Sequence, residues 1–289
     1  MDKDNGFKLY SRAMEQLQAK NYEDAISYID EAIKASNRIA VYYELKGDIF
    51  TSMDSLGRAL SAYDKAKGLR SFYPQIYIKT ADIYYSRNNY DMAIKDYRKA
   101  IAQRPEEPVI YLSLILCYIQ QREYEVAQNL LQEYKTQATK QKQHLDPEYY
   151  VLSAKIDFEN TRYKDVVFSM DIARKLRKLT RNECIFYLRS LVEIGRLDDA
   201  YALLLDYKDT LFESDTHFIR GLYYFEQNNF KDAKIQLELS VQKKTKIYEA
   251  YQLLAEICRQ KGDIKQADEY LAGAEQYKSY RLINIDRKY

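Results

Sequence analysis

A small residue returns at a nearly constant interval along the chain, and this repeat restricts the fold more than any other feature. The repeated residue, which we call the anchor, stands at Ala25, Ala59, Ala93, Ala127, Val166, Ala200, Ala233 and Ala267. The interval is the same to within one residue in six of the seven steps, and only the step from Ala127 to Val166 is longer. One structural unit is therefore repeated eight times, and the copies use nearly all of the 289 residues.

Two further sets of residues repeat in step with the anchors. Twelve residues before the anchors stand Ala13, Gly47, Ala81, Ile115, Ala154, Leu188, Gly221 and Ala255. Seven residues after the anchors stand Ala32, Ala66, Ala100, Tyr134, Ala173, Tyr207, Ser240 and Ala274. These intervals follow the period of a helix, whereas strands alternate with a period of two. The pattern predicts an all-α fold of antiparallel helix pairs that cross closely at the small residues.

Residues typical of helix starts support this interpretation. The prolines predicted to open first helices, where a missing N–H costs nothing, are Pro74, Pro108 and Pro147. The residues predicted to cap second helices are Asn21, Asn229 and Asp263. Because a single helix pair cannot bury its apolar face, we expect the pairs to stack in a row.

Together these residues resemble the tetratricopeptide repeat, a helix-turn-helix unit whose period of about 34 residues matches the interval between anchors. The third copy fits best, through Tyr77, Ala81, Tyr84, Ala93, Tyr97, Ala100 and Pro105. The resemblance covers roughly residues 6–281 and implies a right-handed superhelical solenoid forming a single domain, 1–289. We expect its repeats at approximately 6–39, 40–73, 74–107, 108–146, 147–180, 181–213, 214–247 and 248–281.

The fourth and sixth copies depart from the family pattern. Both small residues are replaced by large ones, Ile115 with Tyr134 and Leu188 with Tyr207. We expect the two helices of these units to lie farther apart than those of the other units.

The longer interval, between the fourth and fifth anchors, contains five extra residues. The segment 133–145 contains neither Gly nor Pro, so we expect the second helix of the fourth unit to overrun by more than one turn. Such a helix would bend the solenoid at 133–146 into halves of four units. A tolerated surface extension is the alternative.

The resemblance also implies where a partner binds, because first helices line the concave surface in this family. The inward positions lie fifteen, eleven and eight residues before each anchor. The predicted groove residues are Glu44, Asp48, Ile78, Asp82, Tyr85, Leu112, Leu116, Ile119, Val151, Lys155, Phe158, Arg189, Phe218 and Phe225. This surface is mostly apolar, with acids in the second and third units and cations in the fifth and sixth. Alternatively, part of the apolar lining is core between units.

That pattern indicates the class of partner. An apolar groove with separated charges suits an amphipathic helix or an extended apolar segment, with its basic end toward Glu44, Asp48 and Asp82. Family members that clamp the carboxylate of a chaperone tail use Lys, Arg and Asn in their first helices. The residues Glu44 and Asp48 have the wrong charge for that role. We therefore expect a non-catalytic scaffold or adaptor for protein partners, in the assembly of a multiprotein complex.

Composition bears on two other classes of function. The net charge of +2 and the absence of a basic stripe argue against a nucleic-acid-binding helical repeat. The most concentrated charge is the basic run Arg174, Lys175, Arg177, Lys178 and Arg181, which suits a solvated helix end or an acidic partner. A ligand-sensing module would need a pocket, for which the candidates are Lys155 and Arg189 beside Asp157 and Glu159.

No motif for catalysis, a metal or a cofactor is present. The three cysteines, Cys117, Cys184 and Cys258, are dispersed and are expected to be reduced core thiols. With two histidines, and neither CxxC nor HExxH, we expect no metal site and no cofactor. Most of the thirty tyrosines are expected to fill packing positions of the repeats, with their hydroxyls at the edge of the stack, while others face outward, where they could serve recognition.

The chain ends suggest how the array is closed and where it functions. The last segment, 277–289, is expected to be a capping helix or tail, or alternatively a homodimer contact. No run of eighteen apolar residues is present, and residues 1–6 lack the apolar core of a secretory signal. We expect a cytoplasmic protein without a membrane span, although a targeting segment could have been removed.

Overall fold

The structure is a computed structural model that describes residues 3–243 and 245–277. These residues form sixteen α-helices and no β-strand. The chain divides into two compact units, Met1–His144 and Leu145–Tyr289, which we call unit 1 and unit 2. In both units, consecutive helices pack against one another in pairs, as the repeat pattern predicts.

Each unit contains four helix pairs. The helices of unit 1 are α1 (Lys3–Gln18), α2 (Tyr22–Ala35), α3 (Ala40–Ser52), α4 (Leu56–Leu69), α5 (Pro74–Ser86), α6 (Tyr90–Gln103), α7 (Pro108–Gln120) and α8 (Tyr124–Lys140). The helices of unit 2 are α9 (Pro147–Glu159), α10 (Tyr163–Leu176), α11 (Arg181–Glu193), α12 (Leu197–Asp206), α13 (Glu213–Glu226), α14 (Phe230–Gln242), α15 (Tyr248–Gln260) and α16 (Ile264–Glu275). Odd-numbered helices are the first helices of their repeats, and even-numbered helices are the second.

The repeated small residues form the contact between the two helices of a pair. All eight anchors are buried, with at most 1% of their surface exposed. The residues twelve before them are also buried in every repeat. A Cβ atom on Gly47 would lie 2.3 Å from a ring carbon of Tyr63, and one on Gly221 would lie 2.6 Å from Leu237. The predicted close crossing of the two helices is confirmed.

The turn inside each pair has the same geometry in all eight repeats. The residue five positions before the anchor has a left-handed backbone, as seen at Lys20, Asp54, Asn88, Arg122, Thr161, Gly195, Asn228 and Gly262. The next residue donates its N–H to the carbonyl five residues earlier, as Asn89 does to Tyr84 at 2.9 Å. This six-residue closure is the Schellman motif, which satisfies the last carbonyls of the first helix.

Most of the predicted helix starts are confirmed. Pro74, Pro108 and Pro147 are the first residues of α5, α7 and α9. Asn229 and Asp263 accept hydrogen bonds from backbone N–H groups in the first turns of α14 and α16.

The prediction for Asn21 is wrong, because its side chain makes no capping bond. Its Nδ2 instead donates to Gln16 Oε1 at 2.9 Å, on the preceding helix. A cap that the sequence analysis missed lies at Asn89, whose side chain accepts from Met92 N.

The fourth pair is longer than its neighbours, but less so than predicted. Helix α8 has 17 residues, whereas α2, α4 and α6 each have 14. The excess of three residues is less than one turn of about 3.6 residues, so the predicted overrun is too large. The helix ends at Lys140, and Lys142 has a positive φ of 55°.

Large residues at the crossing separate the helices of two pairs, as expected. Helices α7 and α8, and especially α11 and α12, approach each other over fewer residues than the other six pairs do. Helix α12 is also the shortest of the described helices, with 10 residues. Of the predicted C-terminal cap, 277–289, only Tyr277 lies within the described residues; it packs against Tyr251 with ring centroids 5.4 Å apart.

Replacing Gly47 with alanine should destabilise the fold, because the new methyl group overlaps the Tyr63 ring. We expect a loss of about 1–3 kcal/mol in the free energy of unfolding, measured with urea. Gly68→Ala is the matched control: Gly68 lies in α4 with nothing within 4 Å of the added atom. That variant should gain up to about 1 kcal/mol, and equal effects of the two substitutions would contradict the close crossing.

Candidate partner-binding surfaces

Five of the predicted groove residues are buried rather than available to a partner. The buried side chains are Leu112, Ile119, Val151, Lys155 and Phe218. Val151 and Phe218 have no exposed surface and belong to the core of unit 2. Placing Val151 and Phe218 in a binding groove is therefore wrong, and the alternative, that part of the apolar lining is core, is confirmed for these two residues. Leu112, Ile119 and Lys155 are also too buried to present their side chains to a partner.

The other nine predicted residues keep some contact with solvent. Asp82 is exposed, and the half-buried residues are Glu44, Asp48, Ile78, Tyr85, Leu116, Phe158, Arg189 and Phe225. They lie on first helices, in unit 1 on α3, α5 and α7 and in unit 2 on α9, α11 and α13. We call these the first-helix faces of the two units.

On the first-helix face of unit 1, a lysine that the sequence analysis missed forms ion pairs with two predicted acids. Lys79 Nζ lies 2.8 Å from Glu44 Oε1 and 2.8 Å from each carboxylate oxygen of Asp48. Burial alone would lower the pKa of Lys79, but the hydrogen bonds to Asp48 and Glu44 outweigh it and raise the pKa. Glu44 and Asp48 therefore share one internal cation, which halves the negative charge that they would otherwise present to the basic end of a partner.

Tyrosine hydroxyls complete this network from below the surface. Tyr63 donates to Asp48 Oδ1 at 2.6 Å, and Tyr73 donates to Glu44 Oε2. Burial, followed by these hydrogen bonds to carboxylates, raises the pKa of both phenols. Both hydroxyls therefore remain protonated donors at neutral pH. Their rings are buried in the core while their hydroxyls reach the polar edge, as the composition predicts.

An open concavity of about 490 Å³ lies beside this network. Its lining residues are Asp48, Thr51, Ser52, Leu56, Tyr63, Lys79, Asp82, Ile83 and Ser86. Two predicted residues, Asp48 and Asp82, are thus brought to one surface feature. The remainder of the lining combines hydroxyl groups with short apolar side chains, a mixture that suits a polypeptide segment.

On the first-helix face of unit 2, the predicted cation also forms ion pairs. Arg189 Nη1 lies 2.7 Å from Glu249 Oε1, on α15, and its Nε lies 3.4 Å from Glu193 Oε1. The guanidinium also lies 5.8 Å from the ring centroid of Phe158. The neighbouring acid Asp157 pairs instead with Arg162, at 2.6 Å. Arg189 and Asp157 therefore have separate partners, which weakens the ligand-sensing alternative.

Three first helices of unit 2 end in a glutamate that the predicted groove residues do not include, at Glu159, Glu193 and Glu226. Burial, followed by the charges of Glu193 and Glu256, raises the pKa of Glu226. These glutamates belong to α11, α13 and α15, so like charges from three successive repeats act on one another. The available signal was a glutamate seven residues before the anchor, at Glu159, Glu193 and Glu226.

Three of the five cations in the basic run form ion pairs, and two of these three pair with a neighbouring repeat. The pairs are Arg174 with Asp171, Arg177 with Glu183 and Glu148, and Arg181 with Asp215. The last is bidentate, at 2.5 and 2.6 Å, and the Asp215 side chain has no exposed surface. The expected solvated helix end is therefore correct for Arg174, Lys175 and Lys178, which are all exposed; the two lysines have no ion-pair partner among the described residues and are open to an anion.

The cysteines are core residues, as expected. All three are buried free thiols, and burial raises the pKa of both Cys117 and Cys184 to about 12. Among the described residues, no group of three or more His, Cys, Asp or Glu side chains could hold a metal ion. No helix in the described part of the chain is both long and apolar enough to cross a membrane.

Comparisons with known proteins agree with this architecture. Three models of the tetratricopeptide repeat match the chain, at residues 10–74, 81–121 and 248–279. Together with the eight helix pairs in the described residues, these matches decide the family. The chain is a tetratricopeptide repeat protein. None of the curated proteins matches it.

Several solved structures have a similar fold. A tetratricopeptide repeat protein from Parabacteroides merdae is 14% identical and has a TM-score of 0.62, over 88% of this chain and 99% of that one. PilF of Pseudomonas aeruginosa is 15% identical and has a TM-score of 0.59, over 71% of this chain and 91% of PilF. PilW, described as a type IV pilus biogenesis factor, is 16% identical and has a TM-score of 0.57, over 71% of this chain and 92% of PilW. At these identities the likeness shows the fold alone; the repeat family as a whole supports a protein-interaction scaffold in general.

Replacing Lys79 with methionine should destabilise the fold, because two half-buried carboxylates would lose their shared cation. We expect a loss of about 2 kcal/mol in the free energy of unfolding at pH 7. Since the pKa of Lys79 is raised, this difference should persist to about pH 10 and shrink above it, as the lysine deprotonates. Lys65→Met, at an exposed position of α4, is the control and should change stability little. Equal stability of the two variants would show that the network contributes nothing.

Proposed function

We propose that this chain is a non-catalytic scaffold that holds a segment of a protein partner against its first-helix faces. The observation that carries the proposal is the concavity of unit 1. Its walls come from two successive first helices, α3 and α5, so a bound segment contacts two repeats at once. Contact with several repeats is how an array of this kind builds a binding surface from identical units.

The chemistry of the concavity supports binding rather than catalysis. The hydroxyls of Thr51, Ser52 and Ser86 donate to backbone carbonyl oxygens of their own helices, at 2.8 to 3.0 Å. No side-chain base takes a proton from them, so none is activated as a nucleophile. They can still accept hydrogen bonds from the N–H groups of an extended partner segment.

The first-helix face of unit 2 supports a partner that is partly apolar and partly basic. Phe158 and Phe225 are half-buried there, each packed edge-on against the aromatic residue that opens the following helix, Tyr163 or Phe230. These rings leave an apolar edge beside the acidic ends of the helices, where Glu226 lies. A segment carrying aliphatic and cationic side chains complements this surface.

Filling the concavity should block the partner without disturbing the fold. Ser86→Trp places an indole at the wall, and we expect several-fold lower recovery of specific proteins when the full chain is used as bait in a cell extract. Ser61→Trp is the matched control, because Ser61 is also an exposed helical serine bonded to a backbone carbonyl, but does not line the concavity. Recovery is measured by quantitative mass spectrometry, and circular dichroism verifies the helix content. Identical recovery with both variants would contradict the proposal.

A further inference from the structure

Two consecutive repeats of unit 1 contain the same aspartate–tyrosine pair. In the second repeat, Tyr63 donates its hydroxyl proton to Asp48 at 2.6 Å. In the third repeat, Tyr97 donates to Asp82 at 2.5 Å. Each aspartate stands eleven residues before its anchor and each tyrosine four residues after it. The two pairs are therefore the same structural element, displaced by one repeat.

The pair in the second repeat binds a cation. Lys79 extends from the following first helix, and its ammonium contacts both oxygens of Asp48 at 2.8 Å. Lys79 stands fourteen residues before the anchor of its own repeat. At the same position one repeat later the chain has Ser113, which lies beside the Tyr97 hydroxyl and carries no charge.

The pair in the third repeat has no such cation. Within the described residues, Asp82 has one hydrogen-bond partner, Tyr97, and no ion-pair partner. Lys79 precedes Asp82 by three residues on α5, but its ammonium is held by Glu44 and Asp48. Asp82 is also exposed and lines the concavity. The Asp82 carboxylate, which accepts a tyrosine hydrogen bond as Asp48 does, is thus open to a cation from outside the chain.

We propose that Asp82 binds the side chain of a lysine or arginine in the partner segment, in the position that Lys79 takes at Asp48. This inference rests on the proposed function, and it names the chemistry of the partner at one point. The internal lysine of one repeat serves as the template for the external cation of the next.

The two sites differ in one respect that limits the ligand. Glu44, which also holds Lys79, is replaced in the third repeat by Ile78. The external cation therefore meets one carboxylate and an apolar side chain instead of two carboxylates. A long methylene stem that packs on Ile78 while its charge reaches Asp82 fits this surface, and both lysine and arginine have one.

Introducing a lysine into the chain itself, opposite Asp82, tests the geometry of the proposed cation site without a partner. Ser113→Lys should place an ammonium at Asp82, and Ser113→Met supplies a comparable length without charge. We expect the unfolding equilibrium constant of the lysine variant to be about three- to fivefold lower than that of the methionine variant. In an Asp82→Asn background this difference should vanish. A difference that is absent, or that persists in that background, overturns the assignment.

A peptide experiment tests the external cation directly. Random twelve-residue peptides displayed on phage are selected against the full chain, and those that fail to bind Ser86→Trp are kept. We expect each to contain a Lys or Arg whose replacement by norleucine weakens binding to the unchanged protein about threefold or more, but not to Asp82→Asn. Peptides without a basic residue, or equal weakening with both proteins, overturn the inference while leaving the proposed function standing. If no selected peptide is sensitive to Ser86→Trp, the concavity is not a partner site, and both proposals fall regardless of the Ser113→Lys result.

Discussion

The close crossing of two helices at small residues is the contact on which the rest of this molecule depends. At Gly47 the ring of Tyr63 occupies the space that a side chain would need, and the Tyr63 hydroxyl continues to the first-helix face, where it bonds Asp48. One tyrosine thus packs the pair and orients a surface carboxylate. Where Ile115 or Leu188 fills the crossing, the two helices approach each other over fewer residues. The size of one or two side chains thus determines how closely the two helices of a repeat pack.

Much of this architecture follows from the sequence, because it depends on residues close together in the chain. Anchors that recur once per helix pair reveal the repeats, and Pro74, Pro108 and Pro147 mark three helix starts. Errors arise where a side chain has several possible partners within one turn. Asn21 bonds back to Gln16 rather than capping α2, although its sequence context matches that of Asn229.

The binding surfaces were less predictable, because the burial of a groove residue and the ion-pair partner of a charged residue both depend on side chains from other repeats. Val151 and Ile78 both stand fifteen residues before their anchors, yet Val151 is core and Ile78 is half-buried. Lys79 pairs with Glu44 from 35 residues away, and Arg189 reaches Glu249 across 60 residues. A count of charges along each helix therefore misjudges the field that a partner meets. One local signal was available: tyrosine occurs four residues after the anchor only where aspartate occurs eleven residues before it.

An array whose hairpins pack mainly against their neighbours can open one hairpin at a time from its ends. The bidentate bond between Arg181 and Asp215 works against this in unit 2, because it ties the first residue of α11 to a carboxylate without solvent exposure in α13. Separating the two hairpins would break both of these charge-assisted hydrogen bonds, which are stronger than bonds between neutral groups. The helices on either side of this bond are therefore held as one cooperative segment, which loses its structure as a whole rather than hairpin by hairpin.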